Sequence, residues 1–175
     1  MKSLKVTLFA FLIVLPFLLQ AQSDKPKRPD NISVSNIDDF KNNAFDISDQ
    51  SASLKTDVNK IDSEIKNYSG AMNTASVQKL TSDYKTILDL NKSTKTLKGK
   101  IGQLQEVSQK LLGEAKEVTP KMKSMSAVSN TNKAISGLDY SRKNITDIIS
   151  LLKNNATLLS TELKKRGEAV EEFVE

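Results

Sequence analysis

Three Ser-x-x-Lys pairs, Ser63/Lys66, Ser76/Lys79 and Ser150/Lys153, are the residues of this chain whose types and spacing come nearest to chemistry. Three apart on a helix, a hydroxyl and an amine can meet, and a lysine can act as base to a serine nucleophile. Penicillin-recognising enzymes use such a pair, but together with Ser-Asp-Asn and Lys-Thr-Gly elements on a larger mixed fold. Neither element occurs here, and repeated copies in a Ser- and Lys-rich chain point to composition. Asp38-Asp39 and Asp46/Asp49 offer carboxylates to a hard cation. Neither matches the Asp-x-Asp-x-Asp-Gly calcium loop, and both fall in a helical pattern, so they read as dipole-complementing and surface charges. Cys and His are absent, which removes thiolate ligands, thiol nucleophiles, disulfides and the usual general base. The reading is therefore no enzyme, no cofactor and no metal.

The rest of the composition bears on where the chain goes. It has 175 residues, with 23 Lys but only 3 Arg. Lys2 and Lys5 precede an apolar run from Val6 to Leu19, and Gln20-Ala21 ends it on a small residue. That layout predicts a secretory signal over residues 1–21, too short to span a bilayer. No later segment is apolar enough to be transmembrane. Export to the periplasm or the extracellular space follows. The remaining chain carries a mild net positive charge, and with so few Arg it offers little bidentate recognition of phosphate or guanine, so no nucleic acid is expected as a partner.

The elements that must position any functional group are helices. Residues 22–36, with Pro26 and Pro29 and no apolar period, read as a flexible leader. From Ile37 the seam Ile37, Phe40, Ala44, Ile47, Ser51, Leu54, Val58, Ile61, Ile65, Tyr68 alternates steps of three and four without a break. Ser69-Gly70 ends it. A second seam runs from Val77 through Leu80, Tyr84, Ile87, Leu97, Ile101 and Leu111 to Val118, weakened by Gly99 and Gly102. Thr119-Pro120 marks a stop or a kink, and Met122 and Met125 extend the seam past it. Residues 126–132 read as the next turn. A third seam, from Ile135 through Leu138, Arg142, Ile145, Leu152, Leu159 and Arg166 to Phe173, completes the set, with Gly137 and Gly167 as interior blemishes.

Three helices are thus expected, over about 37–69, 71–118 and 133–174. The fold class is all-α: an elongated antiparallel three-helix, coiled-coil-like bundle forming a single domain over 37–175. Helix 1 carries a net negative charge and helix 2 a net positive one, which favours their pairing. Reflecting the chain about turns near 70 and 127 leaves helix 1 too short to cover the helix 2–3 hairpin. A two-helix arm over about 104–150 is expected to project, with Met122 and Met125 near its tip, flanked by Lys121 and Lys123. Adaptable methionines ringed by lysine form the candidate partner-binding tip.

An exported basic chain with a projecting helical arm resembles in architecture the small periplasmic holdase chaperones that guard outer-membrane proteins. Those proteins add a β-stranded trimerisation body from their two ends, and residues 22–36 and 160–175 supply no such strands. The leading expectation is an exported, non-enzymatic helical protein of the cell envelope, acting through its surface as scaffold, spacer or binding module. Its partners would be proteins, with homo-oligomerisation left open. The alternatives are a holdase binding unfolded clients near the arm tip and, last, a helical membrane-acting toxin component. The export reading has a direct check: mass spectrometry of the chain from its native host should find Gln22, or its pyroglutamate, at the N-terminus. An intact Met1 in the cytoplasmic fraction would overturn it.

Overall fold

The computed structural model describes residues 25–174, and the expected signal lies outside that range. Three long helices account for most of it: α1 (Ser35–Ser69), α2 (Val77–Glu117) and α3 (Lys121–Lys165). They pack on one another as an all-α bundle, with no strand among the described residues. At 1.5 Å per residue they are roughly 50, 60 and 70 Å long. Short connections make α1–α2 and α2–α3 antiparallel neighbours, so α1 and α3 run parallel.

The α1 seam forms as its spacing predicts. Ile37, Phe40, Ala44, Ile47, Ser51, Val58, Ile61 and Ile65 are buried, and Leu54 and Tyr68 are partly so. All but Ile37 and Ser51 join one core with Leu80, Tyr84, Ile87, Leu97 and Ile101 of α2 and Leu138, Ile145, Ile148, Leu152, Leu159 and Leu163 of α3. Each fully buried aliphatic side chain contributes on the order of 2 kcal/mol. A short 3-10 turn at Met72–Thr74 links α1 to α2, and the Ser76 hydroxyl starts α2 by accepting from the Lys79 N–H at 3.1 Å.

The second connection is not where residues 126–132 suggested. It lies at Val118–Pro120: α2 ends at Glu117, and α3 starts at Lys121. Pro120 therefore separates two helices and does not kink one. The Ser124 hydroxyl secures the corner by donating to the carbonyls of Ala115 and Lys116, both at 3.0 Å. Residues 126–132 are helical despite their small polar composition, because their side chains find partners in the helix or across it. Ser126 and Thr131 donate to carbonyls one turn back, and Asn130 Nδ2 donates to the Asp30 carbonyl at 2.8 Å.

Moving the corner eight residues earlier shortens the expected arm. The α1–α3 pair keeps a constant offset of 93 residues, at Ser51 with Asn144 and at Asp62 with Asn155. Ala44 and Gly137 face each other at the same offset: a Cβ on Gly137 would lie 3.9 Å from the Ala44 carbonyl oxygen. On this register α1 lies beside α3 from about residue 128 onward. Ile37 packs with Ala115 and Ala127 in a small cluster of its own. What outruns α1 is the corner and the first two turns of α3, not the whole of 104–150.

Both ends of the described range also depart from expectation. Residues 25–34, expected as a flexible leader, have no regular structure but lie against the bundle. Arg28 bridges Asp46 and Asp49, Lys25 pairs with Asp49, and the N–H groups of Ile32 and Val34 donate to the Asp38 carboxylate. Under this strap Lys41 is almost wholly buried, with its amine on Asn31 Oδ1. At the other end α3 stops at Lys165, not near 174. Gly167 takes φ +80°, and the Gly167 and Glu168 N–H groups return to the carbonyls of Lys164 and Leu163. That is a glycine-terminated Schellman stop, so Gly167 is a terminator and not a blemish.

Polar rungs hold the α1–α3 register. Asn144 Nδ2 donates to Ser51 Oγ at 3.3 Å, and Lys55 donates to Asn144 Oδ1 and to Asp147. Asn155 Nδ2 donates to Asp62 Oδ1 at 3.0 Å, while Lys66 pairs with Asp62 Oδ2 at 2.7 Å. Burial pushes the Asp62 carboxyl up, but the bonds from Lys66 and Asn155 and the Lys66 charge outweigh it and hold it below 3.8. A depressed folded pKa means that the unfolded chain binds the proton more tightly. The stability from this rung is therefore full above the ordinary carboxylate range and lost as pH falls through the folded value. Asp62→Asn should cost about 1–3 kcal/mol in urea unfolding at pH 7. The gap between variant and wild type should close on acidification, and a gap unchanged at pH 3 would show that the rung carries no charge.

Candidate functional site

The sequence-predicted tip forms on the first turns of α3. Met122 and Met125, one turn apart, are 82% and 67% exposed, the two most exposed large apolar side chains among the described residues. They stand outside the seam because α3 begins only at Lys121, and its first core residue is Ala127. Lys121 is exposed beside them. Lys123 is diverted: its amine donates to the Ser33 carbonyl at 3.0 Å and ties the strap to the tip. Of the four tip residues, then, three face outward as a small Met-and-Lys patch and the fourth fastens the N-terminal strap.

Most of the residues that suggested chemistry are spent on structure. The Ser63 hydroxyl donates to the Asn59 carbonyl, and Lys66 belongs to Asp62. Ser76 caps α2, and Lys79 pairs with Asp83 at 2.8 Å. Asp83 also accepts from the Tyr68 hydroxyl at 2.6 Å, so burial and this carboxylate push the Tyr68 pKa up. Asp38 and the Asp46/Asp49 pair anchor the strap, as described. Arg142, expected in the seam, points out of it with its side chain 66% exposed, pairing with Asp139 at 3.2 Å. Arg166 keeps a structural post. It bonds Glu162 and donates to the carbonyls of Met72 and Ala75, both at 2.6 Å, clamping the α1–α2 connection to the end of α3.

A concave feature lies elsewhere, along the seam between α2 and α3. After the Gly167 stop the tail turns back into this groove and runs extended beside α2. Val170 and Phe173 pack on the core. The Tyr84 hydroxyl donates to the Glu171 carbonyl at 2.6 Å, and Asn91 Nδ2 donates to the Val174 carbonyl at 2.7 Å. Seven helical residues separate the two donors and three extended residues separate the two acceptors, a rise of about 10 Å in either count.

Past Asn91 the groove continues. A hollow of about 440 Å³ lies between Asn91, Lys95 and Gly99 on α2 and Ile149 on α3. A second, of about 330 Å³, follows along Ile101, Gly102 and Gln105 opposite Arg142, Ile145 and Ile149. Lys98 and Ile149 line both, so they are one trough. Gly99 and Gly102 open it, since a Cβ built at either meets nothing within 4 Å. Read along the sequence they looked only like weaknesses in a helix. Their spacing of three, which puts both on one face, was the available signal.

Among the described residues no group of three or more Asp or Glu side chains is placed to hold a metal ion, and no helix is long and apolar enough to cross a membrane. Comparison with protein-family models, curated proteins and solved structures finds no match.

The tail's seat can be tested through Tyr84. Burial, and then the charges of Glu171 and Glu172, push its pKa up from 10.0, so the hydroxyl remains a donor. A raised folded pKa places the contact fully below pH 10 and removes it as pH climbs through the raised value. Tyr84→Phe should speed amide exchange or proteolysis at 168–174 severalfold while costing the bundle about 1 kcal/mol. A tail as protected as in wild type would mean that Val170 and Phe173 alone hold it.

Proposed function

We propose that this chain is an exported, non-enzymatic helical protein of the cell envelope that acts through its surface as a scaffold, spacer or binding module. The observation that carries the reading is the division of labour among its side chains. Most of the Ser, Lys and Asp residues that suggested chemistry hold helices, caps and the strap together. The most exposed large apolar side chains, Met122 and Met125, stand at one end of a long bundle beside Lys121. A long rod with an apolar, basic tip suits contact with a protein at a set distance from its other end. Proteins are the partners this surface suits, with nucleic acid disfavoured by the scarcity of Arg.

The runner-up is a holdase. The Met pair favours it, because flexible thioether side chains adapt to varied apolar segments. The shortened arm weighs against it, since a client would meet two helical turns and not a long two-helix cradle.

A photo-cross-linking residue at position 122 in the native host tests the leading reading. It should yield a discrete product in the envelope fraction that the same residue at position 60, on the outer face of α1, does not. Equal products at both positions, or none at 122, would overturn it. Light scattering from a diluted, urea-unfolded outer-membrane protein separates the runner-up. A scaffold leaves aggregation unchanged. A holdase suppresses it, and Met122→Ser with Met125→Ser abolishes the suppression.

A further inference from the structure

We infer that the open stretch of the α2–α3 trough, from Asn91 to Gln105, takes an extended acidic and apolar segment of a partner protein, laid end to end with this chain's own tail. The inference rests on the reading of the chain as a binding module and names the surface and the partner's chemistry.

Four observations lead to it. The same groove already holds an extended chain. Residues 168–174 lie in its first half, held at two points through their backbone carbonyls by Tyr84 and Asn91. Carbonyl recognition does not depend on the side chains carried, so the tail's half of the groove holds backbone as such. Second, the groove does not end with the tail. From Asn91 to Gln105 it runs about 21 Å further along α2, room for about six extended residues.

Third, the charges match. The tail carries Glu168, Glu171 and Glu172 in a groove edged by Lys153 and Lys164. The open stretch is edged by Lys95, Lys98 and Arg142, with no carboxylate among its lining residues. Among the described residues Lys95 and Lys98 have no acidic partner within ion-pair distance, and Arg142 is held only by an exposed contact to Asp139. Fourth, the floor is shaped for a side chain. Gly99 and Gly102 leave space beneath Ile145 and Ile149, where an apolar residue between two acidic ones would sit as Phe173 sits in the tail's half. The hollow between α1 and α2 lacks these features. Its walls mix Asp57 with Lys92 and Lys100, and no chain lies in it.

The test is a titration of the purified full chain, at low salt, with a fluorescein-labelled Val-Glu-Glu-Phe-Val-Glu peptide, read by fluorescence anisotropy. Saturable one-to-one binding is expected, weakening severalfold on going to physiological salt. Lys95→Glu with Lys98→Glu should weaken it about tenfold or more. Gly102→Leu, which fills the floor, should do the same while leaving the melting temperature level or higher, since the helix gains a better helix former.

Absence of binding by the full chain overturns the inference, as does binding that both sets of substitutions leave unchanged. Binding that appears only in Tyr84→Phe would put the peptide in the tail's own seat and also overturns it. A concentration-dependent dimer of the full chain that Gly102→Leu abolishes would make the occupant a second copy's tail, against a separate partner. The titration is independent of where the protein resides. A failed titration with intact cross-linking at position 122 removes this site and keeps the binding-module reading, and the reverse result removes the tip as the contact surface and leaves the trough standing.

Discussion

The parallel contact between α1 and α3 is the constraint on which the rest of the bundle depends. Two antiparallel hairpins could slide past one another by a turn and still bury leucine and isoleucine. What prevents sliding is the set of small and polar residues placed within the α1–α3 surface. Ala44 opposes Gly137, Ser51 meets Asn144 and Asp62 meets Asn155, all 93 residues apart. A shift of one turn would leave the Asn144 and Asn155 amides and the Asp62 carboxylate buried without partners, at about 1–3 kcal/mol each and more for the charge. Apolar seams supply most of the stability, and the rungs decide which of several apolar registers is adopted. Ser48, one turn from Ala44, buries its hydroxyl with no partner among the described residues, a small cost on the same helix.

With that register in place the ends of the bundle follow. Arg166 reaches the carbonyls of Met72 and Ala75 only because α3 ends level with the α1–α2 connection. The strap can bridge Asp46 and Asp49 with Arg28 and still reach Asn130 through the Asp30 carbonyl only because α1 starts level with about residue 128 of α3. The tail enters the α2–α3 groove because Gly167 reverses the chain at a point where α2 presents Tyr84 and Asn91. Each of these contacts reads a position set by the rungs.

Much of this was legible in the residues. The α1 seam could be written down whole, Ser51 included, because a strict alternation of three and four has one structural meaning. The α2 seam was nearly as clear. Its end was ambiguous because Thr119-Pro120 satisfies both a kink and a stop, and Met122 and Met125 happen to continue the spacing. The deciding interaction, Ser124 donating to the carbonyls of Ala115 and Lys116, involves a residue with no distinctive local signal. The misplaced corner then lengthened the arm, since lengths were counted from it. Ala127, Asn130, Thr131 and Ala134 were passed over as core because an interface made for close approach carries no apolar stripe. The stop at Gly167 was readable: Lys164-Lys165-Arg166-Gly167 is a basic last turn followed by a glycine. The trough was not, because it arises from the absence of side chains at Gly99 and Gly102 facing a helix about 45 residues away in sequence.

The wide separation of the α1–α3 rungs has a consequence for the order of assembly. The α2–α3 and α1–α2 hairpins form from neighbouring segments, whereas the rungs join residues nearly a hundred positions apart and require a large loop to close first. In a chain made from its N-terminus, α1 emerges before α3 and finds that partner last. Until α3 arrives, the face bearing Ala44, Ser51 and Asp62 has nothing to pair with, and the apolar residues beside it remain open to other chains. The strap's ion pairs to Asp46 and Asp49 lie wholly within the first emerging segment, so they can close over part of α1 during that interval.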